Sequence, residues 1–267
     1  MKNAKKILIL ALALLMIAAS LIACSQKGDS DLSYVKEKGK MIIGITYFAP
    51  MDYFDEDGTT LIGFDHDLAA AVCEKLGVEA VFQEIDWNSK ETELASKAID
   101  CIWNGMTRNA DREANMSLTT NYMKNRQVVV IRKEDAEILT SAEALAGKVG
   151  VAESGSAGEE AITKGLNMTP VSAQDQATAL TEVKAKTSDF CVIDSVMAEY
   201  LLKSGGDFSD LCIVEGIKLA DDEFYAAAFR KGSDITAEVD KAIKELAEDG
   251  TLDKIADKYG LKEVLVK

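Results

Sequence analysis

The stretch from Ile99 to Arg112 carries residue types that are suited to holding a small anion. An apolar run there is followed by a polar turn that includes Asn104, Gly105 and Thr107, and Arg112 lies further along. Such a pattern predicts a buried strand that ends in a loop, and ligands of open α/β sheets bind at strand carboxyl ends. A guanidinium group binds a carboxylate with two donors and keeps its charge when buried. The stretch therefore predicts either a carboxylate site or a plain surface loop with a salt-bridged arginine.

The residues before this loop indicate the elements that must position it. Met41–Ile45 and Ala80–Ile85 are short apolar runs typical of core strands. A helix is predicted between them from Asp65 to Leu76, with Asp65 as its N-cap and Gly77 at its C-terminal end. Lys90–Ala98 is predicted to be a second, shorter helix. The resulting order βαβαβ predicts a parallel sheet with right-handed crossovers.

The chain after Tyr122 predicts a second α/β unit. Its expected strands are Gln127–Ile131, Lys148–Ala152, Phe190–Ile193 and Leu211–Val214, and a glycine-serine turn spans Ser154–Gly158. One more strand, Phe224–Arg230, and two helices follow. A chain that leaves one unit, builds a second and returns must cross between them twice. The cleft of such a hinged pair is a usual place for a small ligand.

The amino terminus predicts export. Residues 1–23 combine early lysines with an apolar run and a small residue before Cys24, which is the pattern of a signal peptide. Leu-Ile-Ala-Cys resembles the bacterial lipobox, which implies lipidation of Cys24 and a membrane anchor; an uncleaved anchor with an ordinary cysteine is the alternative. Residues 24–34 are polar and small at their start, and we expect a flexible tether there.

Composition excludes several classes of partner. The chain has 267 residues and a net charge of −15, which argues against nucleic acid and anionic lipid headgroups. The cysteines other than Cys24 lie in apolar settings and are expected to be small buried residues, although an exported chain can form disulfides. We expect no cofactor and no metal. A metal site at Asp65, His66 and Asp67 is not expected because adjacent residues on a helix do not converge.

These motifs, in this order, resemble the bacterial extracellular solute-binding proteins of polar amino acid ABC transporters. The resemblance runs from about Lys40 to Leu261 and rests on Gly63–Ala69, Asp100–Arg112, Ser117–Tyr122, Gly155–Ser156, Asp189–Asp194 and Glu248–Gly260. It implies the type II fold: two Rossmann-like α/β lobes with a cleft between them, joined by two crossing strands. It implies that lobe 1 comprises residues 35–124 and 221–267, and lobe 2 residues 125–220.

The resemblance also implies roles for individual residues. Arg112 matches the arginine that pairs with the ligand α-carboxylate, and Asp194 matches the aspartate that accepts hydrogen bonds from the α-ammonium. The other matched positions line the carboxylate end, donate amides at a helix N-terminus, or form the pocket wall: Asn104, Gly105, Thr107, Ser156, Ala157, Phe48 and Trp87. Asp194 could instead, or in addition, cap the helix that follows it. One fixed cation, one fixed anion and some amides suit a zwitterion.

We therefore predict a monomeric lipoprotein outside the cytoplasm that binds an L-amino acid and delivers it to an ABC transporter permease. It is not expected to be an enzyme. A dehydratase-like enzyme on the same fold and a ligand-sensing lipoprotein are the alternatives. Glu91, Glu153 and Asp52 could meet a cationic side chain of the ligand, but Thr46 stands where the family commonly has an acid. A polar or sulfur-containing ligand is thus at least as suitable.

Overall fold

The computed structural model describes residues 30–203, 206–219 and 222–266. The predicted signal peptide and Cys24 lie outside these residues. The prediction of a flexible tether is wrong for the last residues of the range 24–34, because Asp31–Lys38 form a helix. The Ser30 side chain caps this helix by accepting a hydrogen bond from the Ser33 backbone N–H at 3.0 Å. Among the described residues, no helix combines the length and the apolar character needed to cross a bilayer.

The helices and strands of the described residues follow in chain order. The helices are α1 (Asp31–Lys38), α2 (Phe64–Leu76), α3 (Lys90–Ala95), α4 (Ala110–Asn115), α5 (Ala157–Glu160), α6 (Gln176–Lys184), α7 (Ser195–Lys203), α8 (Ile235–Glu248) and α9 (Thr251–Lys258). The strands are β1 (Lys40–Ile45), β2 (Tyr53–Phe54), β3 (Leu61–Ile62), β4 (Glu79–Glu84), β5 (Cys101–Ile102), β6 (Met116–Leu118), β7 (Met123–Asn125), β8 (Gln127–Arg132), β9 (Gly150–Glu153), β10 (Val171–Ala173), β11 (Phe190–Asp194), β12 (Leu211–Ile213), β13 (Glu223–Tyr225) and β14 (Ala228–Arg230).

The first lobe is built on a five-stranded sheet in the order β4-β1-β5-β14-β6. Strand β1 pairs in parallel with β4 and β5, as the predicted βαβαβ order requires. The sheet is nevertheless mixed, because β14 returns from the end of the chain and pairs antiparallel with β5 and β6. Helix α8 covers this lobe with one apolar stripe, and its residues Ile235, Val239, Ala242 and Leu246 are buried at helical spacing.

The second lobe has its own five-stranded sheet, in the order β10-β9-β11-β8-β12. Strand β9 pairs in parallel with β10 and β11, whereas β8 pairs antiparallel with β11 and β12. All residues of β11 are buried, and its first four residues are accordingly an unbroken apolar run. Asp194 is the last residue of β11 and therefore lies at the carboxyl end of the central strand of this sheet.

Two crossing strands join the lobes. Strands β7 and β13 pair antiparallel, with Met123 opposite Tyr225 and Asn125 opposite Glu223. The single predicted strand Phe224–Arg230 is wrong, because Ala226 and Ala227 separate β13, which belongs to the crossing, from β14, which belongs to the sheet of lobe 1. The fold class predicted from the sequence is confirmed, whereas the residue limits of the lobes stay a prediction.

Asp65 does not cap α2, contrary to the prediction. Gly63 occupies the cap position with φ +144°, and a Cβ there would lie 1.9 Å from the Met51 carbonyl oxygen, so only glycine fits. The Asp65 side chain is fully buried and accepts hydrogen bonds from the Gly105 N–H at 2.6 Å and the Tyr122 hydroxyl at 2.8 Å. At the other end of α2, Gly77 adopts the left-handed conformation that the sequence predicted for a C-terminal glycine.

The cysteines of the described residues are free thiols. Cys73, Cys101 and Cys191 are buried and Cys212 is half-buried. Burial raises the pKa of the Cys73 thiol to about 12, so it stays protonated at neutral pH. These side chains act as small apolar residues, as expected from their settings.

Candidate ligand-binding site

A narrow cavity lies between the lobes, and every residue that the sequence predicted for the ligand site lines it. Lobe 1 contributes Phe48, Trp87, Asn104, Gly105, Thr107 and Arg112, and lobe 2 contributes Ser156, Ala157 and Asp194. Five further residues line the same space: Thr46, Tyr47, Glu153, Gln176 and Met197. The carboxyl ends of strands from both sheets thus meet at one cleft.

Arg112 is a buried cation with unused donors. It lies on α4, whose first turn is capped by Asn109, and its side chain donates to the Thr107 carbonyl at 2.5 Å. The residue is 6% exposed, and among the described residues no carboxylate lies within 4.0 Å of its guanidinium group. Burial lowers the pKa of Arg112, but nearby charges, led by Asp194, act in the opposite direction and favour the charged form. The alternative of a salt-bridged surface arginine is therefore wrong.

Asp194 is the matching buried anion. Its carboxylate accepts hydrogen bonds from the side-chain amides of Asn125, Gln127 and Gln176. It has no lysine or arginine within 4.0 Å in the part of the chain that the structure describes. Burial raises the pKa of Asp194, and the amide donors lower it again. These bonds all come from side-chain amides, and a further role of Asp194 as the cap of α7 stays a prediction.

Asn104 braces the cleft with its side chain. Its Oδ1 accepts bonds from the Thr46 N–H at 3.1 Å and the Thr46 hydroxyl at 2.7 Å. Its Nδ2 donates to the Thr46 carbonyl at 2.9 Å and to Asp52 at 2.7 Å. The polar atoms of the amide are thereby occupied, so Asn104 shapes the wall of the cavity and links the end of β1 to the arginine loop.

Gly105 allows the loop to pass close to an aromatic ring. It has φ +54°, and a Cβ would lie 2.3 Å from Phe48 Cε1. Its N–H is bonded to Asp65, so this amide is not free for a ligand. Thr107 lies further along the loop, where its hydroxyl donates to Glu223 at 3.2 Å and its carbonyl accepts from Arg112.

Ser156 caps the helix that faces the cleft from lobe 2. Its hydroxyl accepts a bond from the Glu159 N–H at 3.1 Å, which fixes the start of α5. The backbone N–H groups of Ala157 and Gly158, which begin the helix, have no partner within it. A π-helical turn, Ala161–Gly165, continues α5. A carboxylate at this end would be favoured by the free amides and by the helix dipole.

The two predicted aromatic residues form apolar parts of the wall. Phe48 is 3% exposed and packs edge-on against Tyr225, with ring centroids 6.4 Å apart. Trp87 is 6% exposed and begins the short 3-10 turn before α3. The Lys90 ammonium lies 4.8 Å from the Trp87 ring centroid, where a cation is attracted to the ring face.

Only one of the three acids considered for a cationic ligand side chain faces the cavity. Asp52 is fully buried, does not line the cavity and accepts a hydrogen bond from Asn104. Glu91 also lies outside the cavity, and it accepts a hydrogen bond of 3.1 Å from Asn115. Glu153, the last residue of β9, lines the cavity and is 4% exposed. The prediction was therefore wrong for Asp52 and Glu91.

The residues that sequence reasoning missed are mostly the amides around Asp194. Gln127 begins β8, Asn125 ends β7, and Gln176 begins α6, so they come from three separate elements. Local spacing does not predict that they converge. The polar residues at the crossing between two predicted units were the available signal.

The protein has two α/β lobes with a cleft between them, and buried charges of opposite sign face that cleft without ionic partners. This arrangement defines a two-lobed binding protein for a small zwitterion. The chain belongs to the bacterial extracellular solute-binding proteins, family 3, whose profile matches residues 41–262. The predicted family is thereby confirmed, and the family places the protein outside the cytoplasm.

Relatives and solved structures agree with this assignment. The arginine-binding extracellular protein ArtP of Bacillus subtilis is 31% identical to this chain, and the match covers 92% of this chain and 96% of ArtP. The L-cystine-binding protein TcyA of the same species is 28% identical, over 94% and 96%. An ABC uptake transporter substrate-binding protein from Streptococcus pneumoniae with bound histidine superimposes with a TM-score of 0.80 at 31% identity, over 90% and 100%. These are binding proteins, and they support the prediction that this chain is not an enzyme.

Proposed function

We propose that the protein binds an L-amino acid as a zwitterion, with Arg112 pairing with the α-carboxylate and Asp194 accepting hydrogen bonds from the α-ammonium group. The observation that carries this proposal is the pair of buried, opposite charges without ionic partners on two sides of one cavity. A buried charge is costly unless it is paired. A zwitterion supplies both missing partners at once.

Binding of this kind favours closure of the lobes. Arg112 belongs to lobe 1 and Asp194 to lobe 2, so a single ligand engages both charges only when the lobes are together. A ligand that binds the closed form better shifts the population toward it. The closed form is then the one that is presented to a permease.

The remaining roles of the predicted site extend this proposal. The free amides of α5 and the loop at Thr107 would complete the carboxylate end, while Phe48 and Trp87 would pack on the rest of the ligand. We further propose lipidation at Cys24, anchoring of a monomer to the cell membrane, and delivery of the amino acid to an ABC transporter permease. Relatives that bind arginine, histidine and cystine support an amino acid as the class of ligand.

The first test is a ligand panel. Thermal unfolding of the purified protein is followed with each of the twenty common L-amino acids, L-cystine and several 2-keto acids. A ligand at one hundred times its Kd stabilises the folded state by about 2.7 kcal/mol, which raises the Tm. We expect stabilisation by one or a few amino acids. A response to keto acids alone would contradict the role of Asp194.

The second test removes one charge at a time. Arg112→Ala and Asp194→Asn each leave a buried ligand charge without its partner, which costs about 2–5 kcal/mol and weakens binding by at least about thirtyfold. Calorimetric titration of the best ligand measures the loss. Arg108→Ala, which removes a cation that pairs with Glu113 instead, is the matched control. Retained affinity in either charge variant would overturn the site.

A further inference from the structure

Glu153 is a third buried ionisable group in the cavity, and neither charged end of an amino acid held by Arg112 and Asp194 would contact it. Its residue is 4% exposed, and its Oε1 is buried without a hydrogen-bond partner. Among the described residues no lysine or arginine lies within 4.0 Å of its carboxylate. Once Arg112 and Asp194 are matched by the ends of an amino acid, Oε1 of Glu153 still lacks a donor.

The nearest cation does not serve this purpose. Lys90 reaches the cleft, but its ammonium donates to the carbonyl oxygens of Trp87 and Gly155, both at 3.0 Å. Burial and the charges of Asp194 and Asp175 raise the pKa of Glu153, and the positive charge of Lys90 together with a hydrogen bond from Gln176 offsets only part of that rise. A buried carboxylate with one oxygen left without a donor is unfavourable for stability unless a ligand supplies that donor.

The space beyond the cavity is acidic as well. A wider chamber shares Thr46 and Tyr47 with the cavity, and the described residues that line it include acids of both lobes but no lysine or arginine. The acids are Glu84, Asp86, Glu93 and Asp175. Carboxylates around this chamber raise the local concentration of positive charge next to the cavity.

We propose that Glu153 receives the positively charged end of the ligand side chain, so that the protein is a receptor for basic L-amino acids of the arginine and lysine type. This inference rests on the proposed amino acid function and specifies its substrate class. Glu153 would take the role that an acid at position 46 could have had, namely binding of the ligand's cationic side chain. The carboxylate then comes from the end of β9 in lobe 2, while the Thr46 hydroxyl is hydrogen-bonded to Asn104.

The test compares charged and neutral ligands of nearly the same shape. Calorimetric titration of the purified protein measures Kd for L-arginine and L-lysine against L-citrulline and L-glutamine, which lack the positive charge. A hydrogen bond to a charged group contributes about 1.5–3 kcal/mol, so we expect L-arginine to bind roughly ten to one hundred times more tightly than L-citrulline.

The variant Glu153→Gln keeps the shape of the side chain and removes its charge. We expect it to lose that preference, with weaker arginine binding and little change for citrulline. Glu91→Gln, an acid outside the cavity, is the matched control and should behave as the wild type.

The outcomes separate the two proposals. Equal wild-type affinity for charged and neutral ligands, or a Glu153→Gln protein that keeps its preference for arginine, overturns the basic-ligand inference while amino acid binding stands. Binding of no amino acid in the panel overturns both. The wild-type comparison needs no variant, so a folding defect in Glu153→Gln does not remove the test.

Discussion

Individual charged residues in this protein are placed where a ligand can complete them. Arg112, Asp194 and Glu153 are all nearly inaccessible to solvent and all line one cavity. Burial of a charge is offset only by a partner and by further hydrogen bonds. For Asp194 the protein provides amides, and for Glu153 it leaves one oxygen without a partner. The carboxylate with an unpartnered oxygen, Glu153, is therefore the one that we expect to decide which ligand side chain is bound.

The pH dependence of ligand affinity tests this at the residue scale. Burial, Asp194 and Asp175 raise the pKa of Glu153 to about 8, while Lys90 and Gln176 act in the opposite direction, and Arg112 lines the same cavity. A basic ligand needs the ionised carboxylate, so at lower pH binding must first remove a proton. We expect affinity for L-arginine to rise from pH 6 to pH 8, by up to about tenfold per pH unit.

Burial also raises the pKa of Asp194, which adds a change of the same sign. The measurement is Kd by calorimetry at pH 6, 7 and 8 at constant ionic strength. Glu153→Gln should show a shallower dependence. An affinity that stays constant or falls as the pH rises would contradict the prediction.

At the scale of elements, one buried carboxylate connects three parts of lobe 1. Asp65 on α2 holds the Gly105 N–H of the ligand loop and the hydroxyl of Tyr122, which precedes the crossing strand β7. Desolvation raises the pKa of Asp65 to about 7. Asp65 lies near a second buried acid, Asp52, whose pKa is raised by burial and also by the charge of Asp65. The ligand loop is thus attached to α2 through a group that resists ionisation.

Replacement of Asp65 should change how stability depends on pH. The folded protein holds the Asp65 proton up to about pH 7, whereas the unfolded chain releases it near pH 3.8. The free energy of unfolding therefore falls as the pH rises between these values. Asp65→Asn keeps an acceptor and removes the charge, so we expect it to gain stability relative to the wild type at pH 8, by on the order of 1–3 kcal/mol. The gain should shrink at pH 5.

Urea unfolding at the two pH values measures the difference. Asp100→Asn is the contrasting control, since that carboxylate is paired with Lys38 at 2.5 Å and accepts a bond from the Ile42 N–H. Its loss should destabilise the protein at both pH values. An Asp65→Asn protein that is less stable than the wild type by the same amount at pH 5 and pH 8 would contradict the argument.

At the scale of the whole molecule, the lobes contact one another around the cleft. Lys90 donates to the Gly155 carbonyl at 3.0 Å, and Asn109 donates to Glu160 at 3.2 Å. These bonds exist only while the lobes are together. The lobes are joined by the short pair β7 and β13, which can act as a hinge. Contacts between the lobes on either side of the cleft therefore add to the stability of the closed form.

Loss of the Lys90 contact should therefore weaken ligand binding. Lys90→Met keeps the length of the side chain and removes the charged donor, and such a bond contributes about 1.5–3 kcal/mol, so we expect affinity to fall by at least about tenfold. Small-angle scattering should show that the ligand reduces the radius of gyration less fully in the variant than in the wild type at equal ligand concentration. Lys75→Met, a lysine that pairs with Glu245 outside the cleft, is the control. Unchanged affinity in Lys90→Met would contradict this role.

The class of fold and most of the site could be predicted from the amino-acid sequence. Short apolar runs and a helix-ending Gly77 are local features, and local features determine where strands and helices lie. The polar residues after those strands were predicted to meet, because carboxyl ends of strands gather at one edge of a sheet. Arg112, Asp194 and the other predicted positions do line one cavity.

The partners of the buried charges were decided only by the tertiary structure. Local spacing did not predict that Asp65 would hold the ligand loop, that Phe224–Arg230 would divide between a crossing strand and a sheet, or that Glu153 rather than Asp52 or Glu91 would face the cavity. Burial and the identity of a partner depend on contacts between residues far apart in the chain. The sequence by itself therefore determined the elements and the types of charge at the cleft, and long-range packing decided which of those charges are left for a ligand.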